Sequence, residues 1–360
     1  MTEQDLPIVR NSEREDFNRC PQKWWWRWQM GLVPAMPKQD ALWFGTGWHL
    51  VWAEHYTPPP GKDGFTRADK DPHDTWTEFT QDSYIKIATH PYFSDDDEKE
   101  WVDAVELGHL MIDGQLAQWH SDPGFEVLMP EQRFSYKIPY NTRQLGYPPR
   151  GGFIANAVGT LDLPVRDHTD GLGTITILDW KTIRARSSMK QLNKDNQFGT
   201  YIALSTEFLR EAELIKDTEA VTRGIISFAR KAKPDPRPKN ELGQFLNKDG
   251  SVSKTQGSPL FWREVTQRNK ASRLRQIVRI ADDVEVMQAV RSGVMPITKH
   301  PSDSCNWCEF SDLCDIDEDG GDTETFIQDV FKVDDPYADH RENAVNSKES
   351  VQVKKESGVT

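Results

Sequence analysis

No apolar run in this 360-residue chain approaches bilayer-spanning length, and the opening "MTEQDLPIVRNSERED" lacks the basic start and apolar centre of a signal peptide. These two absences exclude an integral helical membrane protein and lead us to expect a cytoplasmic one. No segment repeats, which excludes a solenoid or propeller. Cysteine is scarce, with only Cys20, Cys305, Cys308 and Cys314. In a reducing compartment structural disulfides are uncommon, so metal or cluster ligation is the first expectation for these four.

Positive charge is also in deficit, with 44 Lys and Arg against 57 Asp and Glu, for a formal net charge of -13. The deficit is concentrated at one end. From Asp315 to Thr360 there are 13 acids against 5 bases, so the preceding body is only mildly acidic. An acidic total therefore does not exclude a nucleic-acid partner, and local bases occur in "KTIRARSSMKQLNK" and "RKAKPDPRPK".

The residue pattern predicts an α/β protein with a central mixed β-sheet flanked by helices. The first part, 11–121, reads as helical. One helix is capped by Asn11 or Ser12 and restarts at Pro21; others cover Ala41–Tyr56, Asp74–Thr89 and Glu98–Trp119. Period-two alternation follows in "EQRFSYKIPY", "NAVGTLDLPV" and "TITILDWKT", with "RDHTDGLG" as a turn. A helix over Ser188–Phe208, strands at "RGIISFAR" and "LFWREVTQ" and a helix over Ala271–Ser292 complete a core of 125–293. The cysteine-bearing segment 300–315 closes a single domain, 1–332. The residues 333–360 read as a disordered acidic tail.

The stretch "ILDWKT" ends an apolar strand in an acid and a lysine. Residues two apart on a strand share a face, so Asp179 and Lys181 project together while Trp180 turns to the core. If the preceding strand folds back as a hairpin turning near Asp170 and Gly171, Asp162 falls opposite Asp179, roughly 5 Å away. Two carboxylates that close repel unless one is protonated or a cation joins them. Magnesium and manganese prefer such oxygen ligands, which points to metal-assisted phosphodiester hydrolysis with Lys181 handling the attacking water. The Trp180 backbone carbonyl is a further candidate ligand.

These segments resemble the PD-(D/E)XK nuclease superfamily, and specifically its RecB/AddB-like branch with an iron-sulfur cluster, which includes the CRISPR-associated RecB-like exonucleases. "GTLD" and "LDWKT" are similar to that branch's second and third motifs, which implies metal binding by Asp162 and Asp179 and catalysis by Lys181. "QFGTY" matches its Gln-x-x-x-Tyr motif at Gln197 and Tyr201, and "GTGWH" resembles its histidine motif at His49, implying a further ligand for Mn2+ or Mg2+. Cys20, Cys305, Cys308 and Cys314 look like the ligands of its [4Fe-4S] cluster, tying the two ends of the domain together as a clasp. Spacing alone leaves zinc open for the same four thiolates.

The resemblance implies a DNA exonuclease acting in recombination, repair or DNA processing, and the small stand-alone organisation would fit a bacteriophage. No Gly-x-x-x-x-Gly-Lys motif is present, so unwinding would fall to a helicase or recombination partner. Gln197 and Tyr201, one helical turn apart, are expected to contact DNA, as are Arg184, Arg186, Lys190 and Lys194. Glu131 is expected to support the metal ligands, and "WWWRW" to form core rather than a stacking platform for bases. Two rivals remain: a catalytically inactive nucleic-acid-binding protein of the same fold, and a four-cysteine zinc interaction module.

Overall fold

The computed structural model describes residues 6–35, 41–91, 93–140, 151–184, 195–338 and 340. The first elements are β1 (Ile8–Arg10), α1 (Asn11–Arg19), α2 (Pro21–Trp24), a π-helical turn Trp25–Gln29, β2 (Leu32–Pro34), α3 (Ala41–His55), α4 (Pro72–Ala88) and α5 (Asp95–Trp119). The strands β3 (Phe125–Val127), β4 (Gln132–Pro139), β5 (Phe153–Leu161), β6 (Leu163–Asp167) and β7 (Thr174–Ile183) follow. The rest are α6 (Asn196–Glu211), β8 (Arg223–Arg230), β9 (Phe261–Gln267), α7 (Lys270–Arg291), α8 (Ser311–Glu318), α9 (Thr323–Val330) and β10 (Phe331–Val333).

Helix starts carry their own chemistry. Asp71 accepts the His73 N–H ahead of Pro72 at the head of α4, Ser94 and Asp97 form a reciprocal cap on α5, and Asp195 accepts the Phe198 N–H to start α6. The Asp195 cap begins the described α6 later than the expected Ser188, and residues 188–194 lie outside the described ones.

The chain forms two compact units. The first takes Met1–Pro37, Phe134–Gly159 and Leu274–Thr360. Its strands form a three-stranded sheet in the order β1-β5-β4 and a ribbon of β10 with β2. Glu13 of α1 is fully buried, accepts from Trp24 Nε1 at 3.1 Å and pairs with Arg291 of α7 at 2.7 Å. A buried carboxylate needs such partners, so this pairing fixes α1 against α7 across most of the sequence. Trp24, Trp26 and Trp28 are buried, and Trp26 packs with Phe310, Leu313 and Phe331, so "WWWRW" is core.

Past residue 333 the described chain runs on to 338 and includes 340. The β10 strand pairs with β2, and Tyr337 is buried against Trp28, 5.7 Å between ring centroids. These apolar anchors hold the chain beyond 333, while residues 341–360 lie outside the described ones.

The second unit takes Lys38–Arg133 and Thr160–Arg273 and is built on a five-stranded mixed sheet ordered β3-β6-β7-β8-β9. The β7–β8 pair is parallel and the other pairs are antiparallel. One face carries Leu163, Val165, Leu178, Trp180 and Ile225 into a core with Trp48, Trp52, Trp76 and Met111 from the helices. Ile226 and Phe228 face the other way against Phe198 of α6. What reads in the sequence as one strand through "NAVGTLDLPV" is broken at Asp162, with β5 and β6 in different sheets. The architecture is thus α/β with mixed sheets and flanking helices, as expected, but its strands are divided among three sheets.

Helix packing here depends on glycine. A Cβ on Gly108 of α5 would sit 2.1 Å from the ring of Trp76, which is fully buried. Gly108→Ala gains about 1 kcal/mol of helix propensity but must displace a buried indole, which costs about 1–3 kcal/mol. The expected outcome is net destabilisation in urea unfolding, whereas an equal or higher midpoint would show that the ring yields freely.

Candidate metal centre

The hairpin register explains how the charged groups meet. β6 pairs with β7 so that Leu163 faces Leu178, and Asp162, the residue just before β6, is carried to the strand beside Asp179, where it meets the Trp180 backbone. Asp179 and Lys181 alternate with Trp180, which is buried between His49 and Tyr56 with ring centroids 6.2 and 5.7 Å away.

Asp162 Oδ2 accepts the Trp180 backbone N–H at 3.0 Å and lies 3.2 Å from His49 Nδ1, which α3 delivers to the end of the hairpin. Glu131 immediately precedes β4 in a left-handed backbone conformation, φ +46, and its N–H donates to the Asp162 carbonyl at 2.8 Å. Few non-glycine residues adopt that conformation without compensation, and such strain concentrates at functional sites. The turn brings one ligand atom each of His49, Glu131 and Asp162 to within 4.8 Å of one another.

Asp179 is fully buried. Gln197 Nε2 approaches its Oδ1 at 3.4 Å; Lys181 Nζ lies 3.3 Å from Oδ2, yet that oxygen accepts no hydrogen bond. Lys181 donates instead to Gln197 Oε1 at 2.6 Å, and Gln197 Nε2 donates to the Tyr201 hydroxyl at 3.0 Å. The Gln-x-x-x-Tyr pair on α6 therefore turns inward. Tyr201 is only 8% exposed, so its hydroxyl anchors the Gln197 side chain, whose Oε1 meets Lys181.

The electrostatics follow from crowding. Burial holds the Asp179 carboxyl well above the usual carboxylate range, Lys181 opposes this, and the charge of Asp162 adds to it. Glu131, at the exposed rim, is pushed up to about 7 by desolvation and then by Asp162. Burial disfavours the His49 cation, but attraction to Asp162 and Asp179 prevails and raises it to about 9. Burial likewise opposes charge on Lys181, and Asp179 and Asp162 outweigh it to raise that group. Two carboxyls beside a third acid, Asp179 and Glu131 next to Asp162, hold protons unusually tightly, which is the signature of a place for a cation.

Arg184, at the end of β7, is exposed. Arg186, Lys190 and Lys194 lie outside the described residues. Sequence reasoning undervalued Glu131, whose approach to His49 and Asp162 depends on a left-handed turn with no glycine or spacing to announce it.

The first unit holds a second donor set. Cys20 lies at the junction of α1 and α2, Cys305 in the 3-10 turn Asp303–Trp307, Cys308 just beyond it and Cys314 in α8. All four are free thiols and all four line one cavity of about 660 Å³, with Lys23, Lys299 and Trp26 among its walls. Burial pushes the Cys308 and Cys314 thiols up, while Lys23 and Lys299 respectively pull them down. Four sulfur donors around one space fit a zinc ion or an iron-sulfur cluster in kind and number.

The buried Asp179 yields a stability prediction. Its native ionisation is suppressed while the unfolded chain ionises in the ordinary range, so the native state binds more protons and stability falls as pH rises above that range. In EDTA, Asp179→Asn should melt higher than wild type at about pH 8, with the gain shrinking towards about pH 4. Thermal melts at the two pH values check this, and a variant melting lower at the higher pH would contradict it.

Among the described residues no helix is long and apolar enough to cross a membrane. No curated protein matches the chain. Among solved structures, a provisionally named exonuclease of Eubacterium rectale is similar at 12% identity over 86% of this chain and 89% of its own, with a TM-score of 0.41. The protein SSO0001 is similar at 12% identity over 86% and 85%, TM-score 0.32. A phage-related exonuclease of Haemophilus somnus 129PT is similar at 8% identity over 73% and 98%, TM-score 0.24. Likeness at these levels carries no weight for the assignment, which rests on a family model matching residues 11–315: the chain belongs to the PD-(D/E)XK nuclease superfamily.

Proposed function

We propose that this protein is a metal-dependent DNA exonuclease of the RecB-like branch, with His49, Glu131, Asp162 and Asp179 as the residues that would hold Mn2+ or Mg2+. The observation that carries the reading is the convergence of His49, Glu131 and Asp162 within 4.8 Å beside a buried Asp179 oxygen that accepts no hydrogen bond. An imidazole among carboxylates inclines the donor set towards manganese. When bound, the ion supplies positive charge to the scissile phosphate and lowers the pKa of water. Lys181, fixed by Gln197, orients the attacking water and stabilises the charge that develops on the phosphate oxygens. The Trp180 N–H and His49 fix the Asp162 carboxylate, and the Trp180 side chain excludes water from the core side of the strand.

The order of Cys20, the histidine, the two aspartates, Gln197-x-x-x-Tyr201 and the three late cysteines supports placement in the iron-sulfur branch. The cysteine cavity would hold a [4Fe-4S] cluster in a structural role, linking α1 to the segment around α8 within one unit. A recombination, repair or DNA-processing role with a helicase or recombination partner, and a phage origin, would accord with this reading.

Two experiments test it. Wild type should degrade end-labelled DNA with Mn2+ or Mg2+ and not with EDTA, and Asp179→Ala and Lys181→Ala should each lower kcat by about 100-fold or more. Iron-loaded wild type that binds DNA and never cuts it sinks the enzymatic reading. Separately, Cys20→Ala should lose iron and become unstable or insoluble; a stable variant retaining iron refutes the clasp through Cys20, and wild type containing zinc without iron refutes the cluster.

A further inference from the structure

The excursion between β8 and β9 is the clearest charged feature that the centre does not use. From Lys231 to Gly257 it carries six bases against three acids in a chain whose net charge is -13. Its place is set by the parallel β7–β8 pair, in which Lys181 faces Phe228 and Ile183 faces Arg230. The excursion begins at the next residue, where the Lys231 N–H donates to the Ile183 carbonyl at 2.7 Å. It thus leaves the sheet about three residues, or about 10 Å along a strand, beyond Lys181, beside the exposed Arg184.

The arm has an ordered scaffold of its own. Antiparallel bridges join Lys239 to Phe245 and Leu246 to Val252. The Asn240 side chain accepts from the Leu242 and Gln244 N–H groups, and Arg237 Nη1 donates to Ser253 Oγ at 3.0 Å. Phe245 serves as a post, with the Arg237 guanidinium 4.8 Å and the Lys239 ammonium 4.7 Å from its ring. Lys233 pairs with Glu106 and Arg237 with Asp235, whereas Lys239, Lys248 and Lys254 are exposed along the arm.

We propose that this arm is a rail for the substrate strand, holding its phosphates through Lys239, Lys248 and Lys254 on the way to the metal centre. The proposal rests on the nuclease reading, which supplies the substrate, and adds where the strand runs. Cations on a scaffold of fixed shape bind a polyanion by counterion release without reading its sequence. The ring beneath Lys239 limits the side-chain freedom lost on binding.

The test replaces Lys239, Lys248 and Lys254 together by glutamine in the full chain, all three being exposed and outside the centre. Binding of a fluorescent single strand is followed by anisotropy in EDTA across a salt series, apart from any cutting. The triple variant should bind about tenfold or more weakly at low salt, and the slope of log affinity against log salt should flatten by about 2. With metal present, KM for the strand should rise by a similar factor while kcat stays within about twofold. Unchanged affinity and slope, or no binding of DNA by wild type, overturns the rail and leaves the arm to another kind of partner. If wild type binds and the variant does not, but neither cuts, the arm stands as a single-strand-binding surface and the nuclease reading alone fails.

Discussion

Repulsion among three carboxylates governs the second unit. Asp162, Asp179 and Glu131 meet where the β6–β7 hairpin opens, and the protein answers with His49 and Lys181 rather than by separating the acids. The answer is incomplete, since one oxygen of the buried Asp179 accepts no hydrogen bond. Folding alone does not favour such an arrangement, because ionised groups out of water are costly without partners. It makes sense where a cation completes the set. The aromatic core behind it, with Trp180 between His49 and Tyr56, keeps the acids from relaxing away from one another.

One strand serves two purposes through its pleat. Alternate residues of β7 supply the core, with Leu178 and Trp180, and the centre, with Asp179 and Lys181. A one-residue slip would bury Lys181 and expose Trp180, so the register that stabilises the core also orients the charged groups. The parallel β8 beside it carries that order outward, since this strand passes Lys181 at Phe228, ends beside Ile183 and continues directly into the basic arm.

The first unit solves a different problem. Its segments come from both ends of the sequence and from the middle, and buried polar contacts join them: Glu13 with Arg291, and Arg14 with Asp283 at 2.6 Å. The four cysteines are distributed in the same way, one on the early helices and three late, and their shared cavity is a product of that closure. A cluster or ion at the cavity would add a covalent link to what the ion pairs already hold.

The sequence by itself determined the elements and the identity of most of the charged set. Alternation in "TITILDWKT" and symmetry about Asp170 and Gly171 suffice to put Asp162 opposite Asp179, because hairpin pairing is local and its side-chain period is two. Helix starts were legible to within a few residues, at Pro21 as read and at Asp74 and Glu98 against the observed Pro72 and Asp95, since capping depends on near neighbours. Tertiary structure decided what depends on distant partners. It broke the run "NAVGTLDLPV" at Asp162 and turned Tyr201 inward to Gln197. It also brought Glu131 to His49 and Asp162 through a left-handed residue and anchored Tyr337 against Trp28. Period and capping are written in adjacent residues, whereas these four outcomes depend on which surfaces meet after the chain has closed, and no local pattern encodes that.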